Sequence, residues 1–285
     1  MIASLTSVVV GVVVGGAIWM AVREVFDAGV FARTNHRGAP VLTSVGIVIP
    51  ITVTLLAGFL RVMQLLTQRA PGWDQLVGPT VTAALGFGLF GLLDDLAGTG
   101  QSGGFRGHLG ALARGRVTTG ALKLLGGGAV ALLTSAALAR GDEGLVGALR
   151  DAAIVALAAN AANLLDRRPG RTTKVAGAAF LGLALWSGSP TLVGPGVGVG
   201  AAIALLPSEF RERIMLGDAG ANALGALVGL ATLAALPTAT ARWVVLSLLL
   251  ALNLMSEVVS FSSVIDAVPP LRYLDRLGRR TESED

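Results

Sequence analysis

The stretch Leu85-Gly-Phe-Gly-Leu-Phe-Gly-Leu-Leu-Asp94-Asp95 decides the fold. No charged residue lies between Leu76 and Leu93, and the apolar run then stops at two adjacent aspartates. A helix needs about 20 apolar residues to cross a bilayer core, so this run reads as a membrane span with carboxylates at one end. Working outward, two more acids stand at the edges of apolar runs. Asp166 ends Asn160-Ala-Ala-Asn163-Leu-Leu-Asp166, and Asp218 opens the run that follows Arg211-Glu-Arg-Ile-Met-Leu-Gly217.

The whole chain shares this character. Of 285 residues, 53% are hydrophobic and 14% charged, and the mean hydropathy is +0.71. A soluble chain of this length needs a larger polar surface. The composition therefore predicts an all-α, polytopic transmembrane helical bundle. Nine spans are expected, at 2–25, 42–66, 76–95, 118–139, 145–165, 174–188, 190–206, 215–236 and 241–264. Ser187-Gly-Ser-Pro190 and the stretch from Val193 to Gly200, rich in glycine and proline, interrupt the sixth and seventh. Residues 1–278 read as a single integral membrane domain, and 279–285 as a short polar tail expected to be disordered. Zero cysteines exclude disulfides and thiolate chemistry, and two histidines are too few for a His-rich metal site.

Charge sets the direction. A formal net charge of +4 raises the question of nucleic acid, but the basic residues are scattered between apolar runs and so report topology instead. No basic residue precedes the first run, which reads as a span with its N-terminus outside rather than a cleaved signal. An odd span count then makes the C-terminus cytoplasmic. In this orientation 17 of the 22 Lys and Arg fall inside, leaving Arg61, Arg69, Arg140, Arg150 and Arg242 outside, as the positive-inside rule requires. Asp94, Asp95, Asp166 and Asp218 then share the cytoplasmic face. Carboxylates converging there point to a divalent metal and a phosphate-bearing substrate.

Each candidate also has a plainer reading. Adjacent aspartates splay about 100° apart on a helix, so Asp94 and Asp95 face one neighbour only where the helix ends; otherwise they begin a solvated loop. At the negative end of a helix dipole they need a cation nearby. Asn160, Asn163 and Asp166 recur every third residue and form a polar stripe, which suits either a ligand or helix–helix packing. Arg167-Arg168-Pro-Gly-Arg171-Thr-Thr-Lys174 suits a diphosphate or an anionic head group, or a stop-transfer anchor. Asp218 shares a helix face with Asn222 and is either a cap or a ligand. Glu257, read as deep in the last span, is either neutral and hydrogen-bonded or functional. His36 and His108 lie in cytoplasmic loops, solvated or against a substrate phosphate.

Together these residues resemble the polyprenyl-phosphate N-acetylhexosamine-1-phosphate transferase family, which includes phospho-N-acetylmuramoyl-pentapeptide transferase. Asn35-His-Arg-Gly-Ala-Pro40 resembles its first cytoplasmic loop, Gly91-Leu-Leu-Asp94-Asp95 its paired aspartates, and Thr118-Thr-Gly-Ala-Leu-Lys123 the start of its fourth span. Asn160-Ala-Ala-Asn163-Leu-Leu-Asp166 resembles its Asn-x-x-Asn-x-x-Asp motif, and Met215-Leu-Gly-Asp218-Ala-Gly-Ala its metal motif. The resemblance implies transfer of a sugar 1-phosphate from a UDP-sugar to a polyprenyl phosphate with Mg²⁺, at a bacterial plasma membrane, by a protein that forms homodimers. Asp218 would ligate Mg²⁺, and Asp94 and Asp95 would orient or deprotonate the lipid phosphate. Asn163 and Asp166 would bind the nucleotide or diphosphate, and Lys123 would neutralise charge.

Three departures accompany the likeness. Pro169 stands where the family has a second Asp, Gly98 where it has a lysine, and Asp266-Ala-Val-Pro-Pro-Leu-Arg272-Tyr273 where it has a histidine cluster; a tenth span is also missing. They imply a branch with an altered donor site, or one that binds lipid phosphate as a scaffold without turnover.

Overall fold

The apolar runs form helices that pack side by side, in a computed structural model describing residues 1–35, 37–68, 77–97, 119–136, 138 and 143–279. In chain order the α-helices are α1 (Ile2–Val22), α2 (Val48–Thr67), α3 (Val77–Ala97), α4 (Thr119–Ala136), α5 (Gly144–Leu165) and α6 (Arg171–Ser187). They continue as α7 (Val193–Phe210), α8 (Gly217–Ala235), α9 (Ala239–Ser256), α10 (Phe261–Ala267) and α11 (Pro269–Arg276). Among the described residues, eight helical segments are long and apolar enough to cross a membrane. The sixth expected span is the 17-residue helix α6, which does not reach that length.

Small residues set the architecture. Helix α8 is buried along nearly its whole length by α3, α5, α6 and α7, because Gly217, Gly220, Gly225, Gly229 and their alanine neighbours let other backbones approach. The stretch from Val193 to Gly200 does not break its helix, contrary to the sequence reading. It forms the first half of α7 and lies directly on α1. A Cβ on Gly11 would sit 2.2 Å from the carbonyl oxygen of Val197, and one on Gly200 2.1 Å from that of Val8. The glycines are thus a close helix–helix seam.

The end of the last long helix also differs from the sequence reading. The last span is shorter than 241–264: α9 ends at Ser256, and Glu257 is its exposed C-cap rather than a buried carboxylate. Arg150 and Arg242, counted on the outer side, are buried at 3% exposure with Asp151 at 1%. Arg150 bonds Asp151 at 2.8 Å and pairs with Glu143, while Arg242 pairs with Asp151 and donates to the carbonyls of Leu233 and Leu236, both at 2.9 Å. The Arg242 guanidinium thereby satisfies open carbonyls at the C-terminus of α8 and, through Asp151, joins α8 and α9 to α5.

Among the described residues there is also one small sheet. Strands β1 (Ala32–Thr34) and β2 (Pro40–Leu42) form an antiparallel hairpin. Asn35 Oδ1 accepts from the N–H of Arg37 (2.8 Å) and of Ala39 (2.9 Å), which folds the turn. Leu42 bridges to the segment before α8, its N–H donating to Arg213 O (3.1 Å) and its carbonyl accepting from Met215 N (2.8 Å). The hairpin is therefore anchored beside the acidic end of the bundle.

Candidate functional site

The end of α3, the start of α4, the end of α5 and the start of α8 meet at one end of the bundle, bringing Asp94, Asp95, Lys123, Asn163, Asp166 and Asp218 together. The pairing begins with backbone. Asp95 lies on the last turn of α3, and its carboxylate accepts from the N–H groups of Asp218 (3.0 Å) and Ala219 (3.1 Å), the open donors at the start of α8. Ser44 Oγ donates to the same carboxylate at 2.9 Å from a left-handed backbone (φ 62°), and Arg33 Nη2 donates to the Asp95 carbonyl at 2.9 Å. A carboxylate at a helix N-terminus and a cation at a helix C-terminus each complement the local dipole.

Glycine is required where these backbones touch. Gly217 has φ +68°, and a Cβ there would lie 2.6 Å from Asp95 Oδ2; one on Gly91 would lie 2.2 Å from the Asp218 carbonyl oxygen. Both positions hold Asp95 against the first turn of α8.

Asp95 therefore faces backbone, while its neighbour Asp94 faces side chains. Lys123 Nζ lies 3.6 Å from Asp94 Oδ2 and forms a short ion pair with Asp218. With its amide oriented to satisfy both neighbours, Asn163 donates to Asp218 Oδ1 (2.7 Å) and accepts from Lys123 Nζ (2.9 Å). Asp166 Oδ2 accepts from Gly217 N (3.0 Å) and Oδ1 from Thr172 Oγ1 (3.4 Å). Burial, then the charges of Glu209, Asp218 and Asp95, push the Asp166 carboxyl well above the usual carboxylate range, against the opposing Gly217 N–H.

The remaining sequence candidates divide. Arg167 and Arg168, which follow Asp166 in the chain, line a pocket of about 90 Å³ with Thr34, Asn35, Glu212 and Met215. Asn160 turns to another helix, donating to Asn253 Oδ1 at 2.7 Å, so it joins α5 to α9. Arg171 and Lys174 reach the C-terminal helix: Arg171 bonds both Asp275 oxygens (2.8 and 3.0 Å), and Lys174 donates to the carbonyls of Leu274, Asp275 and Leu277. His36 and His108 lie outside the described residues.

Sequence reasoning missed two supporting acids. Glu209, 1% exposed, accepts from Gly170 N (3.4 Å) and Thr173 Oγ1 (3.3 Å) and holds the loop after Asp166. Glu212 accepts from Asn35 Nδ2 (2.8 Å) and pairs with Arg37 (3.2 Å), tying the hairpin to the same end. Glu209 had a readable signal, an acid inside the apolar run that precedes Arg211.

A divalent cation fits this donor set in one way. Among the described residues there is no cluster of three or more ligands poised for a metal, and Asp95 is occupied by backbone donors. Asp94 and Asp218 remain, with Lys123 opposite both and the Asn163 amide on the second Asp218 oxygen. Mg²⁺ commonly takes one or two carboxylates and completes its shell with substrate phosphates and water, which this arrangement permits. No family model matches the chain, and no curated protein matches it.

Proposed function

We propose that this chain transfers a sugar 1-phosphate from a UDP-sugar to a polyprenyl phosphate, with Mg²⁺, at the cytoplasmic face of a bacterial plasma membrane during cell-envelope glycan synthesis. The observation that carries the reading is the meeting of Asp94, Lys123, Asn163 and Asp218 from four helices at one end of the bundle. In the reaction an oxygen of the lipid phosphate bonds to the β-phosphorus of the donor. The bond from that phosphorus to the bridging oxygen breaks, and UMP leaves.

Such a transfer needs positioning and charge neutralisation more than covalent chemistry by the protein. Asp218, with Asp94, would hold Mg²⁺, which when bound neutralises phosphate charge as a Lewis acid. Lys123 supplies a second positive charge beside the same oxygens. Asn163 fixes the Asp218 carboxylate and the Lys123 ammonium at once. Asp95 orients Asp218 by capping α8, and Arg167 and Arg168 receive the diphosphate beside Asp166. Lys123 already balances Asp218 without a metal, which favours one second reading: a scaffold that binds lipid phosphate without turnover.

Mass spectrometry of lipid extracted after incubation with undecaprenyl phosphate, Mg²⁺ and single UDP-sugars tests the reading. A polyprenyl diphosphate sugar is expected with one donor. Lipid phosphate that is bound but unmodified across the panel would establish the scaffold instead.

A further inference from the structure

Helix α11 presents an apolar face that is exposed among the described residues. Leu271, Leu274 and Leu277 recur every third residue with Tyr273 beside them, and Tyr273 is 68% and Leu274 55% exposed. Arg272 and Arg276, four apart, occupy the adjoining edge and are exposed. Neither forms an ion pair among the described residues; Arg272 donates only to the Asp266 carbonyl, at 3.3 Å. The one acid on α11, Asp275, is turned inward to Arg171 and to Arg279 (2.5 Å). The exposed surface of this helix is therefore apolar and basic.

Its place in the fold names the partner. α10 begins five residues after α9 ends, and the chain between carries the exposed Val258 and Val259, continuous with Leu248, Leu252 and Met255 on the bare side of α9. The exposed acids Glu257 and Asp266 belong to that preceding segment, not to α11. Helix α11 begins thirteen residues after the membrane-length α9 ends, across the short α10, and with leucines on one side and arginines on its edge it has the composition of an interfacial helix.

We propose that α11 lies in the cytoplasmic leaflet, with Leu271, Tyr273, Leu274 and Leu277 at the acyl boundary and Arg272 and Arg276 on the phosphates of anionic phospholipids. This rests on the reading that α9 crosses the membrane. The seat reaches the candidate site, because Arg279 Nε donates to Pro169 O at 3.1 Å and Lys174 holds the end of α11. Lipid binding by α11 thereby steadies the loop that carries Asp166, Arg167 and Arg168.

The chain contains no cysteine, so a single Leu274→Cys reports on α11 and Leu248→Cys on α9. Each is labelled with an environment-sensitive dye in nanodiscs of phosphatidylcholine, with or without phosphatidylglycerol, and quenched by doxyl lipids or aqueous iodide. The Leu274 label is expected to be lipid-quenched with phosphatidylglycerol present. Partition should weaken by roughly fivefold for each arginine lost in Arg272→Gln and Arg276→Gln, with little effect in neutral discs. Quenching of Leu248 by lipid but of Leu274 by iodide alone would overturn the proposal and leave the membrane reading standing. Equal lipid quenching in both discs, indifferent to the arginines, would overturn the anionic partner. If neither label meets lipid, both readings fall.

Discussion

Asp95 caps the helix that carries Asp218: its two carboxylate oxygens accept from the N–H groups of Asp218 and Ala219 at 3.0 and 3.1 Å. Two adjacent aspartates thus have unlike surroundings, one facing backbone and one facing Lys123. Asp95→Ala is expected to destabilise the protein by about 2 kcal/mol, the scale for losing charged acceptors at a helix N-terminus. Asp94→Ala should leave thermal stability nearly unchanged and abolish turnover. Thermal unfolding in detergent of the two variants checks this, and equal melting shifts would contradict it.

Lys123 stands between Asp94 and Asp218, where a divalent cation would also be attracted. Lys123→Met is expected to lower turnover by about 100-fold or more, the scale for losing a preorganised charge at a reacting phosphate. The same variant should bind Mn²⁺ more tightly than wild type, because a competing cation is gone. Electron paramagnetic resonance titration of free Mn²⁺ measures this directly.

The two asparagines of α5 should separate. Asn163 touches both Asp218 and Lys123, whereas Asn160 joins Asn253 on α9. Asn163→Ala should lose turnover with little change in stability. Asn160→Ala should cost about 0.6 kcal/mol, typical of an interhelical hydrogen bond, and leave KM for both substrates unaltered. Parallel kinetics and unfolding of the two variants decide it.

The helical bundle was legible in the sequence because apolar runs of membrane length announce themselves by composition alone. The acidic cluster was legible because carboxylates at the edges of such runs are costly, so Asp94, Asp95, Asp166 and Asp218 stood out. Their division of labour was not. Nothing in the dipeptide Asp94-Asp95 tells which carboxylate meets the N-terminus of α8, since that contact spans more than a hundred residues. Arg171 and Lys174 misled for a similar reason. A basic loop suits phosphate, yet these two reach Asp275 and the carbonyls of α11. The glycines near Val193 read as breaks because glycine weakens a helix locally, whereas packing against α1 reverses that preference.

The clasp between Arg171 and Asp275 carries a pH signature. Burial acts to raise the Asp275 carboxyl, but hydrogen bonds from Arg171 and the charge of Arg279 outweigh it and hold it below its ordinary value. A carboxylate with a lowered folded pKa contributes stability above the unfolded value, about 3.9, and loses it as pH falls through the folded pKa. Asp275→Asn should therefore unfold at lower temperature than wild type at pH 7, and the gap should close as the pH drops below about 4. A gap that is constant with pH would contradict the assignment.

UMP release by purified protein reconstituted with undecaprenyl phosphate, Mg²⁺ and a panel of UDP-sugars, with Asp218→Asn alongside, tests the transferase reading most directly. Release with one donor that vanishes in folded Asp218→Asn and on chelation of Mg²⁺ is the predicted result. Release that persists unchanged in the variant, or silence across the panel while lipid phosphate is still bound, would contradict it.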